Sequence, residues 1–261
     1  MPTELRQASA KRPSTKRAAA RQRIAVRRAA EAAARTRARR RRLLGGIAAA
    51  VLLVLAVVGV IVWQTNRTTT SATAAVPAHT IDGGLVVNVG VPAAPVTIDL
   101  YEDLQCPVCQ AYEKADATTM ATLVADGTVQ LHYHLMAFLD SSANQNYSTR
   151  ALNAAAAVLD DAGPGAFQKF HDLLYADQPP ETGPGLTDQK LIEYAVEAGA
   201  SDSTVAPQIR NLTFGDWAKK VTDQASKDGV TQTPTVLVAG KPLTDLTASA
   251  LSAAVSAAQS G

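Results

Sequence analysis

The pattern of apolar and polar positions separates one long uncharged stretch from a region of alternating strand-like and helix-like segments. Residues 43–63 form a run of 21 residues without a charged side chain. A helix rises about 1.5 Å per residue, so this run is long enough to cross the ~30 Å hydrocarbon core of a bilayer. We therefore predict a transmembrane helix at 43–63, a flexible Thr-, Ser- and Ala-rich linker at 64–79, and a folded domain at 80–261.

Within the folded domain, short runs of apolar residues show the period of a strand and longer runs show the period of a helix. Strands are predicted at 84–91, 96–104, 129–135 and 235–239. Helices are predicted at 110–125, 144–159, 165–174, 187–198, 203–227 and 247–258, with Gly-Pro pairs at 163–164 and 183–184 between some of them. Strands on both sides of a helical block predict an α/β fold with a central sheet and a helical insertion at about 140–228.

The charge distribution of the chain changes where the apolar run begins. The first 42 residues hold 15 lysines and arginines against two acids, whereas the other 219 hold 10 basic and 21 acidic side chains. Four arginines at 39–42 directly precede the apolar run, so the positive-inside rule places the tail in the cytoplasm and the domain outside a single-pass cell membrane protein. We expect the tail, disordered or partly helical, to lie on anionic lipid and not to bind nucleic acid. Cleavage near 71–75 is the alternative to a retained anchor.

Cys106 and Cys109 are the only cysteines of the chain, and they lie between a predicted strand and a predicted helix. A thiol at the start of a helix faces unpaired backbone N–H groups and the positive end of the helix dipole, which favours its thiolate. Disulfides persist outside the cytoplasm, but a bridge across so short a loop stabilises a fold little. The pair is therefore predicted to be redox-active, with an inert local disulfide as the alternative.

The cysteine motif and its surroundings resemble DsbA-like thiol-disulfide oxidoreductases of the thioredoxin superfamily, of the membrane-anchored bacterial type. The first match is the strand at 96–103 followed by Cys-Pro-Val-Cys at 106–109 and a helix. The second is Gly-Val-Thr-Gln-Thr-Pro-Thr at 229–235, which resembles the family's Gly-Val-x-Gly-Thr-Pro-Thr. The third is the helical block between them. The resemblance covers roughly 85–258 and implies a thioredoxin-like fold with a helical insertion subdomain.

The resemblance also implies roles for the four motif residues. Cys106 would be the solvent-facing nucleophile and Cys109 the buried resolving thiol, while Pro107 and Val108 would tune the redox potential. The implied activity is extracytoplasmic oxidation or exchange of cysteine pairs in exported proteins that carry free thiols. Recycling would require a membrane quinone-linked thiol oxidase, near which the anchor would hold the domain.

A further implied element of the site is the Thr233–Pro234 pair. In the family this proline is preceded by a cis bond and faces the active-site disulfide, and cis bonds are mostly confined to X-Pro. Thr233 and Pro234 would then present backbone groups to an extended substrate peptide. The alternative is an ordinary turn or edge-strand proline.

Several positions depart from the family pattern. Relatives often carry an acid six residues before the first cysteine, where this chain has Leu100. Glu102 and Asp103 are close by and could substitute, although we expect both to be solvated. Val108 stands where strongly oxidising members tend to have histidine, so a milder oxidant is expected. Gln232 replaces a glycine, a smaller mismatch.

Three alternatives to an oxidase stay open at this stage. A disulfide isomerase or reductase would use the same residues in the other direction. Cys106 and Cys109 could also join His132 and His134, which alternate on one strand face, in a Cys₂His₂ zinc site. A redox-silent peptide-binding module is the third alternative.

The remaining conspicuous side chains are assigned to packing. His171 and Trp217 follow helical periodicity and are expected in the core or at its rim, while Tyr101 lines either the active-site groove or the core. We assign no cofactor and no metal ligands, and we expect a monomer.

Overall fold

A six-stranded mixed sheet organises residues 74–260, the part of the chain that the computed structural model describes. Its strands are β1 (Thr80–Ile81), β2 (Val86–Val89), β3 (Val96–Asp103), β4 (Val129–Met136), β5 (Thr235–Val238) and β6 (Lys241–Pro242), in the order β1-β2-β4-β3-β5-β6. The helices are α1 (Pro107–Ala125), α2 (Tyr147–Ala176), α3 (Asp188–Ala198), α4 (Asp202–Arg210), α5 (Gly215–Lys227) and α6 (Ala248–Gln259). The predicted α/β fold with a helical insertion is confirmed.

The two central strands, β3 and β4, position the site. They run parallel over their full length, from Val96 opposite Val129 to Asp103 opposite Met136, and β5 pairs antiparallel with the other edge of β3. Alternate residues such as Leu100 and Tyr133 are buried on one face, as the period of two predicted. The carboxyl end of β3 leads directly to the cysteine motif.

The helical insertion differs from the prediction at the points where its helices are interrupted. The predicted break at 163–164 is a kink inside α2, where Gly163 has a φ of 77°. The prediction of one helix at 203–227 is wrong, because residues 211–214 separate α4 from α5 and Leu212 has a φ of 49°. A non-glycine residue in this left-handed region ends the regular helix. Trp217 of α5 is in the core as expected, and its Nε1 donates to the carbonyl oxygen of Gly84 at 2.6 Å.

The start of the described region bears on the linker and the membrane anchor. Pro77 is buried and the Ala78 N–H donates to Asp160 at 2.8 Å, so the predicted linker already packs on the domain at its end. The predicted transmembrane helix at 43–63 lies outside the described residues. Within 74–260, no helix combines the length and apolar character needed to cross a membrane.

Candidate active site around the cysteine pair

The cysteine motif forms the start of α1. Cys106 is the N-cap residue with extended backbone angles, and Pro107 occupies the first helical position, where its missing N–H costs no hydrogen bond. Cys109 is fully buried, and only 5% of Cys106 is exposed, so the expected solvent-facing position of Cys106 is corrected to an almost covered one. Val108 is 56% exposed and stands beside it at the surface. The two cysteines are free thiols.

The loop before β5 brings a distant segment onto the cysteine pair. The Thr233–Pro234 bond is cis, as the resemblance implied, and the Cys106 Sγ lies 3.5 Å from the carbonyl oxygen of Thr233, 127 residues away in sequence. The residues just before Thr233, at 228–232, line a cleft of about 500 Å³ together with Tyr101, Thr235 and Leu237. Tyr101 thus lies at a groove and not in the core.

The two thiols are electrostatically different. A hydrogen bond from the Cys109 thiol, together with the N–H groups of Val108 and Cys109, lowers the pKa of Cys106 to about 5 against the opposing effect of burial. The hydrogen bond to Cys106, burial and the negative charge of Glu102 raise the pKa of Cys109 well above its usual range. At neutral pH, Cys106 is therefore the thiolate and Cys109 the thiol.

A buried cluster of ionisable groups lies behind Cys109. Glu102 is completely buried, and its carboxylate contacts His171 Nε2 at 2.6 Å and accepts a hydrogen bond from the Tyr175 hydroxyl at 3.1 Å. The expectation that Glu102 is solvated is wrong, because α2 covers this end of β3. Burial lowers the pKa of His171, but the Glu102 charge reverses this and the pKa is raised overall. Burial raises the pKa of Glu113 to about 7.

Asp103 is also buried, contrary to the expectation, but its role is different. Its carboxylate accepts hydrogen bonds from the N–H groups of Gln105 and Leu139 and from the Ser148 hydroxyl, at 2.7–3.0 Å. Burial raises its pKa to about 6. Asp103 therefore fastens the end of β3 to the segment after β4 and to α2.

Two glutamines attach the helical insertion to the cysteine motif. The Gln178 side chain donates to the carbonyl oxygens of Leu104 and Cys106, both at 3.1 Å. The Gln110 side chain donates to the carbonyl oxygen of Tyr175 at 2.7 Å. Sequence reasoning missed these contacts and also Glu113. Of these residues, Glu113 could have been identified from the sequence, because it lies four residues after Cys109 and therefore on the same face of α1.

The two strand histidines are not near the cysteines. His132 and His134 both contact Asp99, at 3.4 and 3.0 Å, on the sheet face opposite Glu102. Within residues 74–260, no group of three potential metal ligands includes a cysteine. The Cys₂His₂ alternative is therefore wrong.

Known proteins match this arrangement over most of the described region. A family model described as thioredoxin matches residues 80–257. The reduced disulfide bond oxidoreductase DsbG from Mycobacterium tuberculosis is 32% identical with a TM-score of 0.60, and the match covers 69% of this chain and 94% of that one. Reduced DsbA from the same organism is 31% identical with a TM-score of 0.59, covering 68% and 98%.

A curated relative extends far beyond the matched region. It is the serine/threonine-protein kinase PknE from Mycobacterium tuberculosis, 33% identical over 153 residues, which are 57% of this chain and 27% of the kinase. The chain thus spans about a quarter of the length of the curated relatives it matches.

Proposed function

This chain belongs to the thioredoxin family and is a DsbA-like protein disulfide oxidoreductase, and we propose that it oxidises cysteine pairs in exported proteins through a Cys106–Cys109 disulfide. The observation that carries the proposal is the asymmetry of the pair. Cys106 has a pKa lowered to about 5 and faces Thr233, while Cys109 is a buried thiol. A stabilised Cys106 thiolate favours the reduced pair and so favours electron transfer from the substrate to the protein.

The reaction transfers two electrons from a substrate dithiol. A substrate thiolate attacks the Sγ of Cys106, the disulfide breaks, and Cys109 leaves and takes up a proton. The second substrate thiolate then attacks the substrate sulfur of the mixed disulfide, which releases Cys106 as a thiolate. The products are an oxidised substrate and a reduced pair that carries one proton, on Cys109.

Re-oxidation requires Cys109 to lose that proton. The buried cluster of Glu102, His171 and Glu113 lies behind Cys109, and the pKa of Glu113, raised to about 7, suits a group that exchanges protons near neutral pH. The 2.6 Å contact between Glu102 and His171 holds the cluster together. We assign the carboxylates of Glu102 and Glu113 as the proton acceptors for Cys109, and His171, whose pKa is raised by the Glu102 charge, as the group that positions Glu102.

Substrate binding is assigned to the surface where Cys106 meets Thr233. The Thr233–Pro234 backbone would pair with an extended peptide whose cysteine meets Cys106, and the cleft next to Tyr101 would receive neighbouring side chains. Pro107 and Val108 would contact the partner from the exposed side of the motif.

Sequence features support a proposal for the cellular setting. The apolar run at 43–63 behind four arginines supports a membrane anchor with the domain outside the cytoplasm, and the basic tail suits anionic lipid. We propose that a membrane quinone-linked thiol oxidase re-oxidises the pair and that the protein acts as a monomer.

The test is the direction of electron flow. The full-length protein, oxidised, is mixed with a reduced peptide carrying two cysteines, and its reduction potential is measured in glutathione buffers. We expect stoichiometric oxidation of the peptide and a potential above the value of about −270 mV of thioredoxin. A potential at or below that value would support a reductase instead.

Two matched variants identify the residues. Cys109→Ser cannot form the protein disulfide, so it is mixed with the peptide in the peptide's disulfide form. The Cys106 thiolate attacks one peptide sulfur, the other leaves as a thiolate, and the mixed disulfide should accumulate because no Cys109 thiol is present to release the peptide. Cys106→Ser should form none. Equal trapping by the two variants would contradict the assigned order of attack.

A further inference from the structure

We propose that Asp99, His132 and His134 form a binding site for a divalent transition metal ion such as Zn²⁺. The three side chains project from β3 and β4 on the face opposite the proton-accepting cluster, and the proposed function does not use them. The assignment rests on their geometry, their accessibility and the charge around them.

The distances match those between the ligands of one ion. Zn²⁺ binds imidazole nitrogen at about 2.0–2.1 Å and carboxylate oxygen at about 2.0–2.2 Å, so two ligands of a tetrahedral site lie about 3.3 Å apart. The Oδ1 of Asp99 lies 3.4 Å from His132 Nδ1 and 3.0 Å from His134 Nε2. All three ligand atoms lie within 4.8 Å of one another. Only a small outward shift is needed to admit an ion.

The sheet holds these ligands in place. His132 and His134 are two residues apart on β4 and therefore share a face, and Asp99 is the direct register partner of His132 on β3. The Tyr101 ring stacks on the His134 ring, with centroids 4.1 Å apart and planes at 14°. Such a rigid support lowers the cost of ordering the ligands around an ion.

Charge and access also favour a cation here. The ligand side chains are 18–24% exposed, so an ion could enter from solvent. Burial raises the pKa of Asp99, but hydrogen bonds from both imidazoles hold it well below its usual range, so the ligand is a carboxylate. The small cleft beside His134 is lined by two further acids, Asp82 and Asp228, and by no lysine or arginine.

The donor types select the metal. Two imidazoles and one carboxylate suit Zn²⁺ and neighbouring transition metals, whereas Ca²⁺ and Mg²⁺ prefer oxygen ligands. The buried group of Glu102, Glu113 and His171 is a weaker candidate, since its 2.6 Å Glu102–His171 contact is a short hydrogen bond and its side chains are closed to solvent. Three protein ligands leave one position of the ion open to water or a partner group.

The experiment uses the full-length protein with the cysteines in the disulfide form, so that no thiolate can bind metal. After removal of metal by a chelator, Zn²⁺ is titrated in a calorimeter at neutral pH, and Co²⁺ is added separately to record its visible absorption bands. We expect one equivalent of bound metal, a tetrahedral Co²⁺ spectrum and weaker binding as pH falls, because the imidazoles must be unprotonated. Absence of stoichiometric binding in this wild-type protein would overturn the proposal.

Variants locate the site. Removing a side chain that only hydrogen-bonds to a metal ligand typically weakens metal binding about tenfold to hundredfold. His132→Ala and His134→Ala remove ligands and should each weaken Zn²⁺ binding by more than that. Asp99→Asn keeps the shape of the side chain and should weaken Zn²⁺ binding by at least about tenfold. His79→Ala, which changes an exposed histidine, is the matched control and should bind normally. Peptide oxidation should be retained in the histidine variants, which shows that they are folded. Unchanged binding in Asp99→Asn and the histidine variants would show that the metal sits elsewhere and would overturn the assignment.

Discussion

The lowered pKa of Cys106 makes the stability of the reduced protein depend on pH in a way that can be calculated. The pKa falls from 9.0 to about 5 on folding, chiefly through the hydrogen bond from Cys109. Between these values the unfolded chain binds one proton more than the folded one at this sulfur, so stability rises with pH. The contribution is complete above about pH 9 and is lost as pH falls through about 5.

The size of the effect follows from the same two values. One pKa unit corresponds to about 1.4 kcal/mol, and pH 7 lies two units above the folded pKa. The thiolate should therefore contribute about 3 kcal/mol at pH 7, and about 2 kcal/mol of this should disappear by pH 5. The Cys106 sulfur lies at the edge of the domain, so solvent screening makes about 3 kcal/mol an upper bound. The Cys109 thiol does not titrate in this window, since its pKa is raised.

The assay compares urea unfolding of the reduced wild type, the reduced Cys106→Ser variant and the oxidised wild type, followed by circular dichroism at pH 5 and pH 7. Thiolate absorbance at 240 nm gives the titration directly. Between pH 7 and pH 5, we expect only the reduced wild type to lose about 2 kcal/mol of unfolding free energy beyond the change that the three proteins share. A thiolate midpoint near 9, or parallel pH dependence in all three proteins, would show that Cys106 is not a stabilised thiolate in the folded protein.

Three further substitutions probe other parts of the site. Asp103→Ala leaves the buried Ser148 hydroxyl and two backbone N–H groups without their acceptor, and should lower the free energy of unfolding by about 3 kcal/mol in urea titrations. Glu102→Gln keeps the shape of the side chain but removes a proton acceptor, so it should slow re-oxidation of the cysteine pair about tenfold to hundredfold in stopped-flow measurements. An unchanged rate would contradict the role of the cluster. Val108→His places a positive charge beside the thiolate and should raise the reduction potential by about 30 mV, or about 1.4 kcal/mol, in glutathione buffers. An unchanged potential would mean that this exposed position does not tune the pair.

Local signals in the sequence were enough to predict the centre of the site. The strand-like run before Cys106 and the helical run after Cys109 placed the pair at the start of a helix, where Cys106 is the N-cap residue. The Thr-Pro pair before a β-rich run, through the family resemblance, indicated the cis bond. Alternation also predicted which side chains of β3 and β4 face the core, since a slip of one residue would expose the whole core face.

The surroundings of the cysteines depend on tertiary packing and could not be predicted in this way. Glu102 and Asp103 occupy adjacent positions on β3, and nothing in their local sequence indicates that α2 covers both. The Gln178 contacts join groups more than 70 residues apart in sequence. The grouping of Asp99 with two histidines required the parallel register, which sequence alternation alone does not set.

The redox state of the pair in intact cells distinguishes an extracytoplasmic oxidase from a reductase. Cells are treated with acid to stop thiol exchange, and free thiols are labelled with a reagent that shifts the mass of the protein for each cysteine. We expect Cys106 and Cys109 to be mostly disulfide-bonded at rest, and a membrane-impermeant reagent to label Cys106 after mild reduction. A pair that is fully reduced in untreated cells would contradict the assignment as an extracytoplasmic oxidase.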